Sequence, residues 1–296
     1  MRVFDCDAPG LRNAQAFGNG TYQILRRLKI GVVGCSGTGS PVVEQLARLS
    51  VGHLVLVDPD IIEAKNLNRI LNAMAADVIA GRRKVDVLGD AVEQMGLETQ
   101  VTRFAVNLYD SPEALMELAS CDILIGCMDS VDGRDLLNHL ATFYVLPYLD
   151  LGVRLNADEL NGIRSISGSV NYIQPGRSSL ITRHLYDMED LRSAGEYRRD
   201  PAGHADRVKH QYFKDVPVNR PAVLPVNMFV AAAGICELLH RLHPYRSESA
   251  AQLLVDLSNN YLLPTPETEL ETDEHLLPLV GKGTVHPLLG LTELQW

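Results

Sequence analysis

The sequence predicts an α/β fold in which a doubly wound, mostly parallel sheet is continued by antiparallel strands. Three observations carry that prediction. The stretch up to Asp60 runs from a short apolar segment (Ile30, Val32, Val33) through a glycine-rich turn, Gly34-Cys35-Ser36-Gly37-Thr38-Gly39. An amphipathic segment and a second apolar run, Leu54 to Val57, follow and end at Asp58. Strand, turn, helix, strand and acid form the Rossmann-like plan of a nucleotide-binding βαβ unit. Apolar runs and helical stretches then keep alternating to residue 152. Beyond it, Gly162 to Ile173 alternates apolar with polar residues, the pattern of antiparallel strands.

Taken in order, residues 1–28 form a helical arm interrupted at Gly18 and Gly20. Residues 29–152 form a nucleotide-binding half. In it, Asp77 to Met95 has the spacing of one helix, with Val78, Ile79, Val85, Leu88, Val92 and Met95 towards one side. Gln100 to Ala105 reads as a third strand. Ser111 caps a helix that opens with Pro112 and runs to Ala119. Ile123 to Met128 is a near-continuous apolar run, as in a parallel strand covered on both faces. A helix, Asp132 to Phe143, and a strand, Val145 to Leu151, complete the half. Residues 153–265 form an antiparallel half holding a charged crossover loop at about 177–220. Within it come an exposed segment, Leu185 to Pro217, with a helix or two, a buried helix, Pro221 to His243, and a final strand, Leu253 to Leu263. Residues 266–296 are a tail too rich in Pro and Gly for regular structure.

The bulk composition narrows the function classes. A chain of 296 residues, 46% hydrophobic and 22% charged, has the make-up of a globular protein with a large core. A formal charge of −10 argues against nucleic acid or an anionic membrane as partner. Five cysteines without a C-x-x-C pair point to a reduced, cytoplasmic setting, and no segment reads as a signal peptide or a membrane span.

The turn and Asp58, 19 residues after Gly39, suit a dehydrogenase as well as a nucleotide-activating enzyme. Four features favour activation. Asn66 and Arg69, three apart, share one face of a helical turn after Asp58-Pro59-Asp60. Lys84, after Gly81-Arg82-Arg83, can reach phosphate as a mobile point charge. Asp129, in Cys127-Met128-Asp129-Ser130, follows the apolar strand at its carboxyl end and suits Mg²⁺ better than the alternative of capping the next helix. The antiparallel half with its charged loop is an addition that a dehydrogenase does not need.

Together these motifs make the chain resemble the ThiF/MoeB/HesA family, bacterial relatives of ubiquitin-activating enzymes, from about Phe17 to about Leu242. GCSGTGS stands for G-x-G-G-x-G, LVDPD for the strand-end acids and NLNR for N-L-x-R. GRRKVDVL stands for the G-x-x-K helix, CMDS for C-x-D-N, and PAVLPVNMFVAAAGICELL for the late helix. The resemblance implies ATP·Mg²⁺-dependent adenylation of a carboxylate, the C-terminus of a ubiquitin-like or sulfur-carrier protein or of a peptide. By position, Gly34, Ser36, Gly37 and Gly39 would cradle phosphate, and Asp58 and Asp60 would serve the nucleotide, with Asp58 on the ribose. Asn66, Arg69 and Lys84 would contact phosphates, and Asp129 would hold Mg²⁺. An arginine of the arm, Arg12 or else Arg26, would act across a homodimer.

Departures from the family pattern shape the expectation. Ser179-Leu180-Ile181-Thr182 stands where many members carry zinc cysteines, so zinc is not expected. No cysteine lies between Cys127 and Cys236, so the expected product is an acyl adenylate without a thioester on this chain. Cys35 and Cys127 read as buried wall residues, and His204, His210, His240 and His243 as surface or core residues. Arg183, Arg192, Arg198, Arg199 and Arg207 read as a solvated face or a dock for an acidic partner. The alternatives are an inactive scaffold subunit, for which Ser36 and the missing cysteines speak, and an enzyme adenylating a small molecule or a tRNA base.

Overall fold

The computed structural model of the protein describes residues 7–157, 162–209 and 222–295. The arm is helix α1 (Leu11–Leu25), broken at Gly18, whose φ of 81° and ψ of 160° are open to glycine alone. Strands β1 (Lys29–Val33), β2 (His53–Val57), β3 (Gln100–Phe104), β4 (Ile123–Gly126) and β5 (Tyr148–Ala157) pair in parallel. Strands β6 (Ile163–Ile173), β7 (Gln252–Asp256) and β8 (Tyr261–Thr265) add antiparallel, giving the order β3-β2-β1-β4-β5-β6-β7-β8.

Helices cover both faces, as continuous apolar strands require. Helix α2 (Gly39–Arg48), the short α3 (Ala75–Ala80) and α4 (Lys84–Gln94) follow β1 and β2, and α9 (Leu224–Leu242) follows the crossover. Residues of α2, α4 and α9 enclose one core with Val32, Leu54, Leu56 and Val170. On the other face, α5 (Pro112–Ala119) and α6 (Val131–Tyr144) pack on Val33, Val55 and Leu124. The crossover supplies α7 (Met188–Arg199) and α8 (Pro201–Lys209).

Several boundaries differ from the sequence reading for local reasons. The single helix expected over 77–95 is split, because Gly81 ends α3 in the left-handed region (φ 61°) and Arg83 is extended. Lys84 thereby becomes the first residue of α4 and donates its backbone N–H to Asp60 O at 3.0 Å. The strand expected at Val145 begins at Tyr148, since Val145 is the left-handed C-cap of α6 (φ 58°), and it continues past residue 152 to Ala157. The strands expected over 162–173 are one strand, β6. The final strand is a hairpin, in which the Asp256 carboxylate accepts the N–H groups of Ser258 and Asn259 and Asn260 is left-handed (φ 58°).

Of the crossover arginines, Arg192 and Arg199 are exposed, whereas Arg183 and Arg198 are built into the fold. Arg183 is 6% exposed and donates to Ala251 O, Tyr172 O, Ser178 Oγ and Glu267. Burial depresses its guanidinium to about 10 against the pull of Glu267. Arg198 lies over the Tyr109 ring and pairs with Asp132 at 2.9 Å and Glu293 at 3.1 Å. His204 and His240 are buried and bonded to Ser193 and Ser249, while His243 bonds Thr21. His210 lies outside the described residues, as do 210–217 of the predicted charged segment. The tail is ordered as short 3-10 turns, and its Leu289 and Leu294 are buried in the α5–α6 core.

Candidate active site

The site forms where β1 ends and α2 begins. Gly34 has φ of 92°, and a Cβ there would lie 2.8 Å from Cys127 O. Its N–H is held by Val57 O at 2.9 Å, and Cys127 N–H by Val33 O at 2.8 Å. A Cβ on Gly39 would meet Gly34 O at 1.8 Å, so only glycine lets the helix start this close to the strand end. Helix α2 has no side-chain cap. Among the described residues, the N–H groups of Ser36, Gly37 and Thr38 have no hydrogen-bond partner. Unpaired donors at the positive end of a helix form an anion seat.

Asp58 braces this seat from behind. Its carboxylate is 5% exposed and accepts Cys35 N–H at 2.7 Å and Asp60 N–H at 2.9 Å. Lys84 Nζ stands 3.5 Å from Asp58 and 2.6 Å from the exposed Asp60 carboxylate. Burial works against the Lys84 ammonium, but the two aspartates outweigh it and hold it above the ordinary lysine range. Lys84 is therefore a firmly charged cation beside the turn.

The second wall is the segment after β2. Asn66 is buried, and its side-chain oxygen accepts Glu63 N–H at 3.0 Å, closing a 3-10 turn over Ala64–Asn66. Asn66 thus shapes the loop that carries Arg69. The Arg69 stem passes 3.1 Å from where a Gly37 Cβ would stand, and its guanidinium donates to Lys65 O and Asn68 Oδ1. The third wall is the loop between β4 and α6. There Asp129 is exposed and makes no hydrogen bond or ion pair among the described residues.

No cluster of three or more His, Cys, Asp or Glu side chains capable of holding a metal occurs among the described residues. A single exposed carboxylate fits Mg²⁺ that takes its remaining ligands from phosphate oxygens and water, and does not fit structural zinc. Cys35 and Cys127 wall the turn. Burial, aided by Asp58 for Cys35 and by Asp150 for Cys127, pushes both thiols far above the usual range, so neither is primed as a nucleophile.

The turn, Asp58, Asp60, Asn66, Arg69 and Lys84 thus converge, with Asp129 at the same end of the sheet. Arg12 does not join them within the chain. It bonds Gln15 on α1, and the adjacent Asn13 holds Arg48 O at the far end of α2. Arg26 is also held away, by Leu97 O and Glu98. Two features escaped the sequence reading. One is Asn227, near the start of α9, whose amide nitrogen would lie 2.2 Å from a Gly37 Cβ. A polar residue in the otherwise apolar first half of that helix was its only signal. The other is Asp150, fully buried, which receives Arg134, Tyr148 and Asn171 beneath the α6 terminus.

Comparisons with known proteins bear on the family and the fold. The ThiF family model matches residues 11–274. Ubiquitin-like modifier-activating enzyme 5 of Caenorhabditis elegans is 26% identical over 168 residues, covering 53% of this chain and 38% of that protein. The Dictyostelium discoideum protein of the same name is 27% identical over 169 residues, covering 53% of this chain and 42% of that one. The chain spans less than half the length of these relatives. Among solved structures, E. coli MccB with ATP superposes with a TM-score of 0.65 at 19% identity, covering 90% of this chain and 74% of that one. MccB in complex with N-formylated MccA gives 0.67 at 19% identity, covering 90% and 73%. With the glycine turn, the acids, Arg69 and Lys84 in place and the family model spanning most of its length, the chain belongs to the ThiF family.

Proposed function

We propose that the protein is an ATP-dependent adenylyltransferase acting on the C-terminal carboxylate of a ubiquitin-like protein or peptide. The observation that carries this reading is the convergence of an uncapped helix terminus, two cations and an exposed carboxylate at one sheet end. The related proteins' names point the same way: modifier-activating enzymes, and MccB solved with ATP and with MccA. A carboxylate oxygen would attack the α-phosphorus, forming a C–O–P bond as the bond to pyrophosphate breaks. Two anions must meet, so the chain's task is positioning and cationic screening. The N–H groups of the turn would seat phosphate, Lys84 and Arg69 would offset the charge gathering on the leaving pyrophosphate, and Asp58 or Asp60 would take the ribose. Asp129 would hold Mg²⁺, which supplies further charge neutralisation on the phosphate oxygens.

The product of this reaction is an acyl adenylate, with any thiol chemistry on another protein. Because Arg12 lies away from its own turn, a homodimer in which the arm reaches the partner's site is part of the proposal. The absence, among the described residues, of a helix long and apolar enough to cross a membrane and the free cysteines are compatible with work in the cytoplasm. Ser36 in a glycine position favours one rival, an inactive scaffold.

Pyrophosphate exchange separates the two. With peptides and small proteins ending in Gly-Gly, wild type should incorporate label from pyrophosphate into ATP. Asp129→Ala should be slower by about a hundredfold, the scale for losing one charge-stabilising group. ATP binding without exchange for every carboxylate tried would select the scaffold.

A further inference from the structure

We infer that Asn227 is a phosphate ligand of the nucleotide site, a role that rests on the adenylation reading above. Asn227 belongs to the first turns of α9, far from the glycine turn in sequence, yet its side chain closes over it. Its Nδ2 and Cγ would lie 2.2 and 3.2 Å from a Cβ at residue 37, nearer than any other atom except the Arg69 stem. Gly37 is thus roofed by two donor side chains, one from the segment after β2 and one from α9. The two roofs are tied together, since Asn68 Nδ2 donates to Ala222 O at 3.2 Å just before α9.

The state of the amide is what points to a ligand. Asn227 is 3% exposed and its side chain makes no hydrogen bond with any described residue. Neither amide atom is sealed from solvent as Thr99 Oγ1 and Asn138 Oδ1 are, so its amide keeps contact with water. A carboxamide that is open to water and free of protein partners can exchange that water for an oxygen of a ligand seated in the turn. An apolar residue would satisfy the packing, as the neighbouring Val226, Val230 and Ala231 do. The amide instead faces a turn whose own N–H groups at Ser36, Gly37 and Thr38 are unpaired. A phosphate seated there accepts from the turn and from Asn227 together, and an amide donor adds directionality to the point charge of Lys84. Asn227 also couples nucleotide to the crossover, because α9 is where the chain returns to the sheet.

The test is calorimetric titration of wild type, Asn227→Asp, Asn227→Ala and Asn227→Thr with ATP·Mg²⁺, inorganic pyrophosphate and adenosine. Circular dichroism serves as the check of fold. Asn227→Asp keeps the shape but turns donor into anion, and should weaken ATP and pyrophosphate by at least about tenfold. Asn227→Ala should weaken them by about three- to tenfold, and Asn227→Thr, which retains a donor, by less. Adenosine affinity should stay at the wild-type value in each folded variant. Unchanged ATP affinity in Asn227→Asp and Asn227→Ala would overturn the assignment while leaving the adenylation reading standing. Equal loss of ATP and adenosine would do the same, by revealing a packing role. A wild type that binds neither ATP nor pyrophosphate would overturn the adenylation reading itself and this assignment with it.

Discussion

At the scale of single residues, the Lys84–Asp58 pair shows how a charge here proposed to serve a ligand also holds the fold. The two side chains are 7% and 6% exposed, so removing the cation leaves a buried carboxylate held by two N–H groups alone. Lys84→Met should cost about 3 kcal/mol in urea unfolding, as for other broken buried pairs. Adding Asp58→Asn should recover much of that stability without restoring exchange activity. Because Lys84 is held above its ordinary value, its contribution is complete below pH 10.5 and lost as pH rises through the folded value. The sequence named Asp58, Asp60, Asn66, Arg69 and Lys84 because each sits in a short motif with a fixed offset. It did not reveal that Asn66 spends its oxygen on Glu63, or that Asn227 closes the turn. Those facts depend on which elements meet in space, and no local spacing encodes them.

At the scale of elements, periodicity was legible and terminators were less so. Strand β4, helix α5 with its Ser111 cap and Pro112, and helix α9 stand close to where the sequence put them. The helix over 77–95 failed at Gly81, because an apolar face continues in register across a break that only the left-handed glycine produces. The β7–β8 hairpin was read as one strand because Ser258-Asn259-Asn260 is a turn built by Asp256, and its apolar flanks masked it. Helix α6 yields a test of its own. His139 is held by Asp135, 3.2 Å away, with Asp273 of the tail adding to the field. Burial opposes the imidazolium, but these carboxylates prevail and raise it above 6.5. A raised histidine stabilises fully below pH 6.5 and loses that contribution as pH climbs through its folded value. Melting temperatures from pH 6.5 to 8.5 should therefore fall more steeply for wild type than for His139→Gln. Parallel curves would show that His139 carries no such charge.

At the scale of the whole molecule, the doubly wound class followed from alternation of strand and helix, a signal spread over many residues and hence robust. The tail did not, since isolated leucines among Pro and Gly have no period. Leu289 and Leu294 are 1% and 2% exposed in the α5–α6 core, and Glu293 pairs with Arg198 and Arg199 of α7. Leu294→Ala should cost about 2–3 kcal/mol in urea unfolding and leave ATP affinity unchanged, because Leu294 packs in the core on the sheet face opposite α2. The sheet order also has a kinetic meaning. From β4 outward, each strand lies beside its predecessor, ending in a tight hairpin. The pairing of Ile30 with Ile123, by contrast, closes a long loop that already contains β2, β3 and the four helices α2 to α5. Chains dominated by distant contacts fold slowly, because loop entropy is spent before those contacts form. Closure of β1 on β4 is thus the expected barrier, after which the outer strands accrete. Since Asn227 arrives with α9, the anion seat gains its full complement of donors only near the end of folding.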